Sequence, residues 1–118
     1  MQIDLTNSRS RFVANGRLMP EEAAELAASA LAAAVARQVS SLLLNLKDLS
    51  LTRCMSITEC HEAGVLLARA GRGLCKVAFV ARPDCMEPHQ FVFTVARNRG
   101  LLVAAFASES AAVGWLAA

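Results

Sequence analysis

The chain contains no tyrosine and one tryptophan, and aromatic residues make up only 5% of its 118 positions. A core so short of rings must close on Ala, Val and Leu. Surfaces that stack nucleobases on aromatic platforms are excluded as well. A net charge of +2 is too small to hold nucleic acid by counterion release, and the basic residues are dispersed. No nucleic-acid partner is expected. Neither a Gly-x-Gly-x-x-Gly nor a Gly-x-x-x-x-Gly-Lys pattern occurs, which removes the two common glycine-built phosphate cradles. No apolar run is long enough to cross a bilayer: the longest weakly polar stretch, residues 23–36, is interrupted by Glu25 and Ser29. Residues 1–5 lack the basic start and apolar run of a signal peptide, so no membrane insertion is expected. Four cysteines without a Cys-x-x-Cys spacing read as reduced thiols, and the expected compartment is the cytoplasm.

What is present is an ordered alternation of strand-like and helix-like segments, repeated along almost the whole chain. A length of 118 residues sets one domain, 1–118, able to bury roughly two-thirds of its unfolded surface. Ile3 and Leu5 alternate with polar neighbours as a short first strand. Residues 6–10 read as a turn, and 11–14, extending toward Leu18, form a second strand paired with the first as an edge hairpin. Pro20 suits the first helical position, and Ala23, Leu26, Ala27, Ala30, Leu31, Ala34 and Val35 mark one apolar face of a helix reaching about Gln38. Residues 41–47 form a short apolar run of the kind buried on both faces of a parallel sheet. A loop is expected over 48–55.

Ser56-Ile57-Thr58-Glu59 then has capping-box spacing, opening a helix that runs to about Ala70, with Gly71 placed to stop it in a left-handed conformation. Residues 75–81 are the next strand. A third helix starts near Pro88, carries Phe91, Val92, Val95 and Ala96 on one face and ends at Gly100. Residues 101–106 are the last strand, and Ser108 caps a final helix with Val113, Trp115 and Leu116. The fold class that follows is α/β: a mostly parallel four- to five-stranded sheet with an N-terminal edge hairpin and helices packed on it.

The charges support that order. Glu21, Glu22, Glu59, Glu62 and Glu87 fall where helices begin, and Arg37, Arg69, Arg72, Arg97 and Arg99 where they end. Each such placement complements a helix dipole by about 0.3–1 kcal/mol. If the strands run parallel, one rim of the sheet leans acidic and the other basic. The basic rim reads first as dipole complementation and second as a patch for an acidic partner.

The side chains able to carry chemistry are few. Cys54, Cys60, His61, Cys85 and His89 are the soft-metal ligands available, and they lack the spacing of a four-ligand site, so no metal or other cofactor is expected. Cys60 and Cys75 read as small buried hydrophobes. Cys85 and His89 lie four apart, but no third group is placed to orient the imidazole, so no catalytic residues are assigned and the chain reads as a non-enzyme. Ser56 has two compatible roles, helix cap and phosphoacceptor. The rim with Arg53, Cys54, Ser56, Thr58, Arg82 and Asp84 is the candidate surface for a protein partner. The alternative is a small apolar or lipid-like ligand, or a weak enzyme, using a crevice between helices two and three near Met55, Met86, Phe91 and Phe93. An edge hairpin and apolar helix faces also suit a homodimer.

Several stretches in this order resemble the STAS superfamily (sulfate transporter and anti-sigma-factor antagonist), in particular its small stand-alone bacterial, SpoIIAA-like members. They are Gly16 before an Ala-rich helix, Leu42-Leu43-Leu44-Asn45-Leu46, a polar loop into a capped helix, Lys76-Val77-Ala78-Phe79-Val80, and the tail from Leu102 through Phe106 to Trp115-Leu116. The resemblance implies a (β/α) superhelix and a non-catalytic regulatory module. Its expected partner is a protein, such as an anti-sigma-factor-like kinase or another signalling protein. The family's phosphorylated Asp-Ser-Ser-Gly motif has no full counterpart. Here the stretch reads Leu51-Thr52-Arg53-Cys54-Met55-Ser56-Ile57, and only Ser56 occupies a comparable place.

Overall fold

A computed structural model describes residues 2–6, 9–82 and 90–118, with side chains described from residue 10 onward. Five strands, β1 (Gln2–Thr6), β2 (Arg9–Leu18), β3 (Ser41–Leu51), β4 (Lys76–Val80) and β5 (Val103–Phe106), form one sheet in the order β1-β2-β3-β4-β5. β1 pairs antiparallel with β2 as the expected edge hairpin, and β2 through β5 are parallel. The described helices are α1 (Pro20–Ala36), α2 (Ile57–Ala70), α3 (Gln90–Asn98) and α4 (Glu109–Ala117). No described helix is long and apolar enough to cross a membrane.

Each parallel connection steps one strand along in the same direction. Crossovers of one hand therefore leave their helices on one face. α1, α2 and α3 form that layer. Leu31, Ala34, Cys60, Ala63, Leu67, Val92, Phe93 and Ala96 pack there onto Phe12, Ala14, Leu42, Leu44, Val77, Phe79 and Val103. α4 returns to the opposite face, where Ala112, with Val113, Trp115 and Leu116, covers Leu43, Ala78 and Val80. The tripeptide Leu42-Leu43-Leu44 thus serves both cores, and each of its side chains is at most 1% exposed. Burial of that completeness contributes roughly 1.5–3 kcal/mol per side chain.

The third strand differs from expectation. It runs on to Leu51, because β2 continues to Leu18 and supplies partners: Asn15 pairs with Asp48 and Leu18 with Leu51. Between Val13 and Asn15 the register slips, so that Leu46 and Lys47 together oppose Ala14. This bulge resets the alternation. Leu42, Leu44 and Leu46 face the three-helix layer before it, and Leu49 and Leu51 line the same side after it. A polar pair, Lys47-Asp48, sits at the slip and gives the sequence its loop-like look.

Smaller differences have local causes. Gly71 is not left-handed (φ −89°), and Gly73 takes that conformation instead (φ +108°). Gly71 is small because a Cβ there would meet Leu31 Cδ2 at 2.7 Å and Leu101 Cδ1 at 3.0 Å. On α3 it is Phe93, its ring tilted against Phe79 at 5.0 Å between centroids, that enters the core, while Phe91 is 42% exposed. Cys60 is buried as expected, but Cys75 is exposed, because the strand begins one residue later and only its backbone N–H is used, donating to Ser40 O.

The terminal helix is fastened at both ends. The guanidinium of Arg11 donates to both carboxylate oxygens of Glu109, at 2.9 and 2.6 Å, and Asn45 Nδ2 donates to the same carboxylate. Glu109 is held below the usual carboxylate range, chiefly by Arg11 and also by Asn45. At the other end Lys76 Nζ donates to the carbonyls of Trp115 and Ala118, at 2.9 and 2.8 Å, and lies over the Trp115 ring.

α2 and α3 meet at Gly64, where a Cβ would stand 2.6 Å from Val95 Cβ and 2.7 Å from the Val92 carbonyl. Gly64→Ala is expected to lower unfolding stability by about 1–3 kcal/mol through overpacking, despite the better helix propensity of alanine. Urea denaturation reads the loss. An unchanged midpoint would show that the two helices are free to separate.

Candidate functional site

Because β2 through β5 are parallel, the starts of α1 and α2 gather along the edge formed by the strands' carboxyl ends. In α/β sheets this edge commonly holds the ligand or partner. It carries Glu21, Glu22 and Glu59, whereas Arg37, Arg69, Arg72, Arg97 and Arg99 lie at the opposite edge. One of those arginines also ties α3 to β5, since Arg97 Nη1 donates to the Val103 carbonyl at 3.0 Å.

The entrance to α2 is the best-defined part of the rim. Ser56 sits at the N-cap, where Oγ accepts from Glu59 N at 3.1 Å and Glu59 Oε1 accepts from Ser56 N at 2.9 Å. This is the capping box expected from the sequence. The same Glu59 carboxylate receives a two-pronged grip from Arg53, Nη1 and Nη2 each at 2.7 Å, and Arg53 Nη2 also lies 3.6 Å from Glu21 Oε2 on α1. Hydrogen bonding from Arg53, then from Ser56, lowers the Glu59 carboxyl from its ordinary 4.5 to about 2. The guanidinium of Arg53 is raised in turn, first by its hydrogen bond to Glu59. The loop between β3 and α2 is thereby tied through Arg53 to the starts of both α1 and α2.

The candidate residues fall into groups. Arg53, Cys54, Ser56 and Thr58 are exposed and share this rim, and Arg82, exposed just beyond β4, stands on the same edge. Asp84, with Cys85, Met86, Glu87, Pro88 and His89, lies outside the described residues. Ile57, which sequence reasoning passes over, is 79% exposed at the first position of α2. In the sequence it reads as one more apolar residue of the expected helix, and only the cap geometry shows that this position points outward.

Beneath the rim is an apolar cleft of about 330 Å3. α1 contributes Ala23, Ala24 and Ala27, α2 contributes Ala63 and Leu67, and α3 contributes Val92 and Phe93. Leu46, Leu49, Leu51 and Phe79 come from the sheet, with Met55, Cys54, Arg53 and Arg82 toward the mouth. The expected crevice between helices two and three therefore also involves α1. Met55 and Phe93 line it, Phe91 does not, and Met86 lies outside the described residues. The cleft exists because alanines stand where larger side chains would fill the space above the β3 bulge.

The chemistry available is limited. Burial, followed by the Glu59 charge, raises the Cys60 thiol, which keeps it protonated and poorly nucleophilic. Among the described residues no three His, Cys, Asp or Glu side chains converge to hold a metal ion. No protein-family model matches the chain, and no curated protein matches it.

The Glu59 shift has a pH signature. Its folded carboxyl is depressed relative to the unfolded one, so the stabilisation is present above about pH 4.5 and is lost as pH falls toward about 2. Urea midpoints of the native chain and of Glu59→Gln are expected to differ at neutral pH and to converge over that window. Parallel curves across it would mean that the Arg53 grip adds nothing to stability.

Proposed function

We propose that this chain is a non-catalytic regulatory module of the STAS type that binds a protein partner through the entrance to α2. The observation that carries the reading is the exposed Ile57 at a helix start held by the Ser56–Glu59 cap and the Arg53–Glu59 pair. An apolar side chain presented on a preorganised segment loses little further freedom on binding. Cys54, Thr58 and Arg82 supply the polar surround of such a contact. The expected partner is a signalling protein or an anti-sigma-factor-like kinase, and the composition in reduced cysteine supports a cytoplasmic setting.

Ser56 is the proposed point of regulation. Its hydroxyl is exposed, and a phosphoryl group there would add charge at a helix start, where the dipole favours it. It would also offer a second anion to the Arg53 guanidinium, which is bound to Glu59 three residues along the chain. Modification would therefore undo the grip that shapes the rim.

Two measurements test this reading. Affinity capture from the native host is expected to recover a partner that Ile57→Asp loses by at least tenfold, while the thermal midpoint of the variant stays close to that of the native chain. Mass spectrometry of the chain from the same host is expected to find phosphate on Ser56. Equal recovery by both forms, with Ser56 unmodified, would overturn the proposal. Light scattering distinguishes partner capture from self-pairing along the β1 edge.

A further inference from the structure

We infer that the cleft above the β3 bulge is a binding site for a small uncharged hydrocarbon-like molecule of about ten non-hydrogen atoms. The site lies beneath the protein-binding rim and shares Arg53, Cys54 and Arg82 with it at the mouth, but it does not rest on that reading.

Volume sets the size. Apolar cavities of about 150 Å3 stay dry and accept benzene. At about 330 Å3, this cleft has room for roughly twice that ligand. It is bounded by α1, α2, α3 and the sheet, a concave shape suited to a compact molecule.

The lining sets the chemistry. Ala24, Ala27, Leu49, Leu67, Phe79 and Phe93 offer dispersion contacts and no hydrogen bonds. Among the described residues the only buried side-chain polar atom without a partner is Ser10 Oγ, which does not line the cleft. Ser50, the hydroxyl among the described lining residues, donates to the Gly16 carbonyl at 3.4 Å, so no buried side-chain polar atom of the described lining awaits a ligand. Nor do the described residues of the mouth offer a vacant charge. Arg53 is committed to Glu59 and Glu21, and Arg82 is likewise engaged. A carboxylate or phosphate would have to break an existing pair or enter the cleft unpaired, and an uncharged ligand does neither.

The probes are naphthalene and decanoate, titrated into the native chain by NMR. Naphthalene is expected to bind saturably at one site, with a dissociation constant on the order of 10–100 μM, and to shift resonances of Ala27, Leu49 and Phe93. Decanoate is expected to bind at least tenfold more weakly. Ala24→Phe places a ring in the cleft and is expected to weaken naphthalene at least tenfold. Ala32→Phe, on the exposed side of α1, is expected to leave it unchanged. Should Ala24→Phe not fold, Ala23→Leu fills the same wall and decides the point.

Absence of saturable naphthalene binding would overturn the inference, as would equal binding by the filled variants. Decanoate binding more tightly than naphthalene would overturn it too, since a charged head would then be part of what the site selects. Ile57→Asp lies outside the cleft and is expected to retain naphthalene, so failure of the protein-binding reading leaves this result readable.

Discussion

The double burial of β3 is the constraint on which the other layers depend. Leu42 and Leu44 lie under the three-helix layer and Leu43 under α4, so neither core closes unless this strand is central and correctly registered. A shift of one residue would exchange the two faces, placing Leu43 beneath α1 and sending Leu42 and Leu44 to the smaller α4 core. The parallel pairing with β2 and β4 fixes that register. It also brings the strands' carboxyl ends to a single edge, so the rim and the cleft are consequences of how the middle of the sheet is packed.

The bulge in β3 links packing to the site. Strict alternation would turn every second residue beyond Leu46 away from the helix layer. The slip opposite Ala14 returns Leu49 and Leu51 to that side, extending the apolar floor past the end of the shorter β4. The alanines of α1 stand over that extension without filling it. A helix with leucine at positions 23, 24 and 27 would pack more tightly and leave no room for a ligand. The same small side chains let α1 approach the sheet closely elsewhere, as at Ala30 and Ala34.

Much of this is legible in the sequence, for identifiable reasons. Continuous apolar runs mark β3 and β4 because a parallel strand buried on both faces has no polar alternation to show. Ser56 and Glu59 mark the start of α2 because their partners are local, three residues apart. The rim arginines and glutamates follow from helix ends. The end of β3 is hidden because a bulge breaks the periodicity that would announce a strand. Phe91 and Phe93 are easily exchanged because both are apolar and stand two positions apart on a short helix. The cleft has no sequence signature, since a void is defined by side chains from five elements and from the segments that follow β3 and β4. Nor does the contact of Arg11 with Glu109, which joins residues 98 positions apart.

That long-range contact bears on how the molecule comes together during synthesis. The three-helix layer can assemble once β5, which supplies Val103, has left the ribosome, but Leu43, Ala78 and Val80 have no cover until residues 109–117 follow. For that interval the nascent chain displays a greasy sheet surface next to an incomplete edge, a state in which translating neighbours can cross-associate. Arg11 and Asn45 are already in place as an anchor for Glu109, so the last helix docks onto a prepared seat and the exposed interval is short.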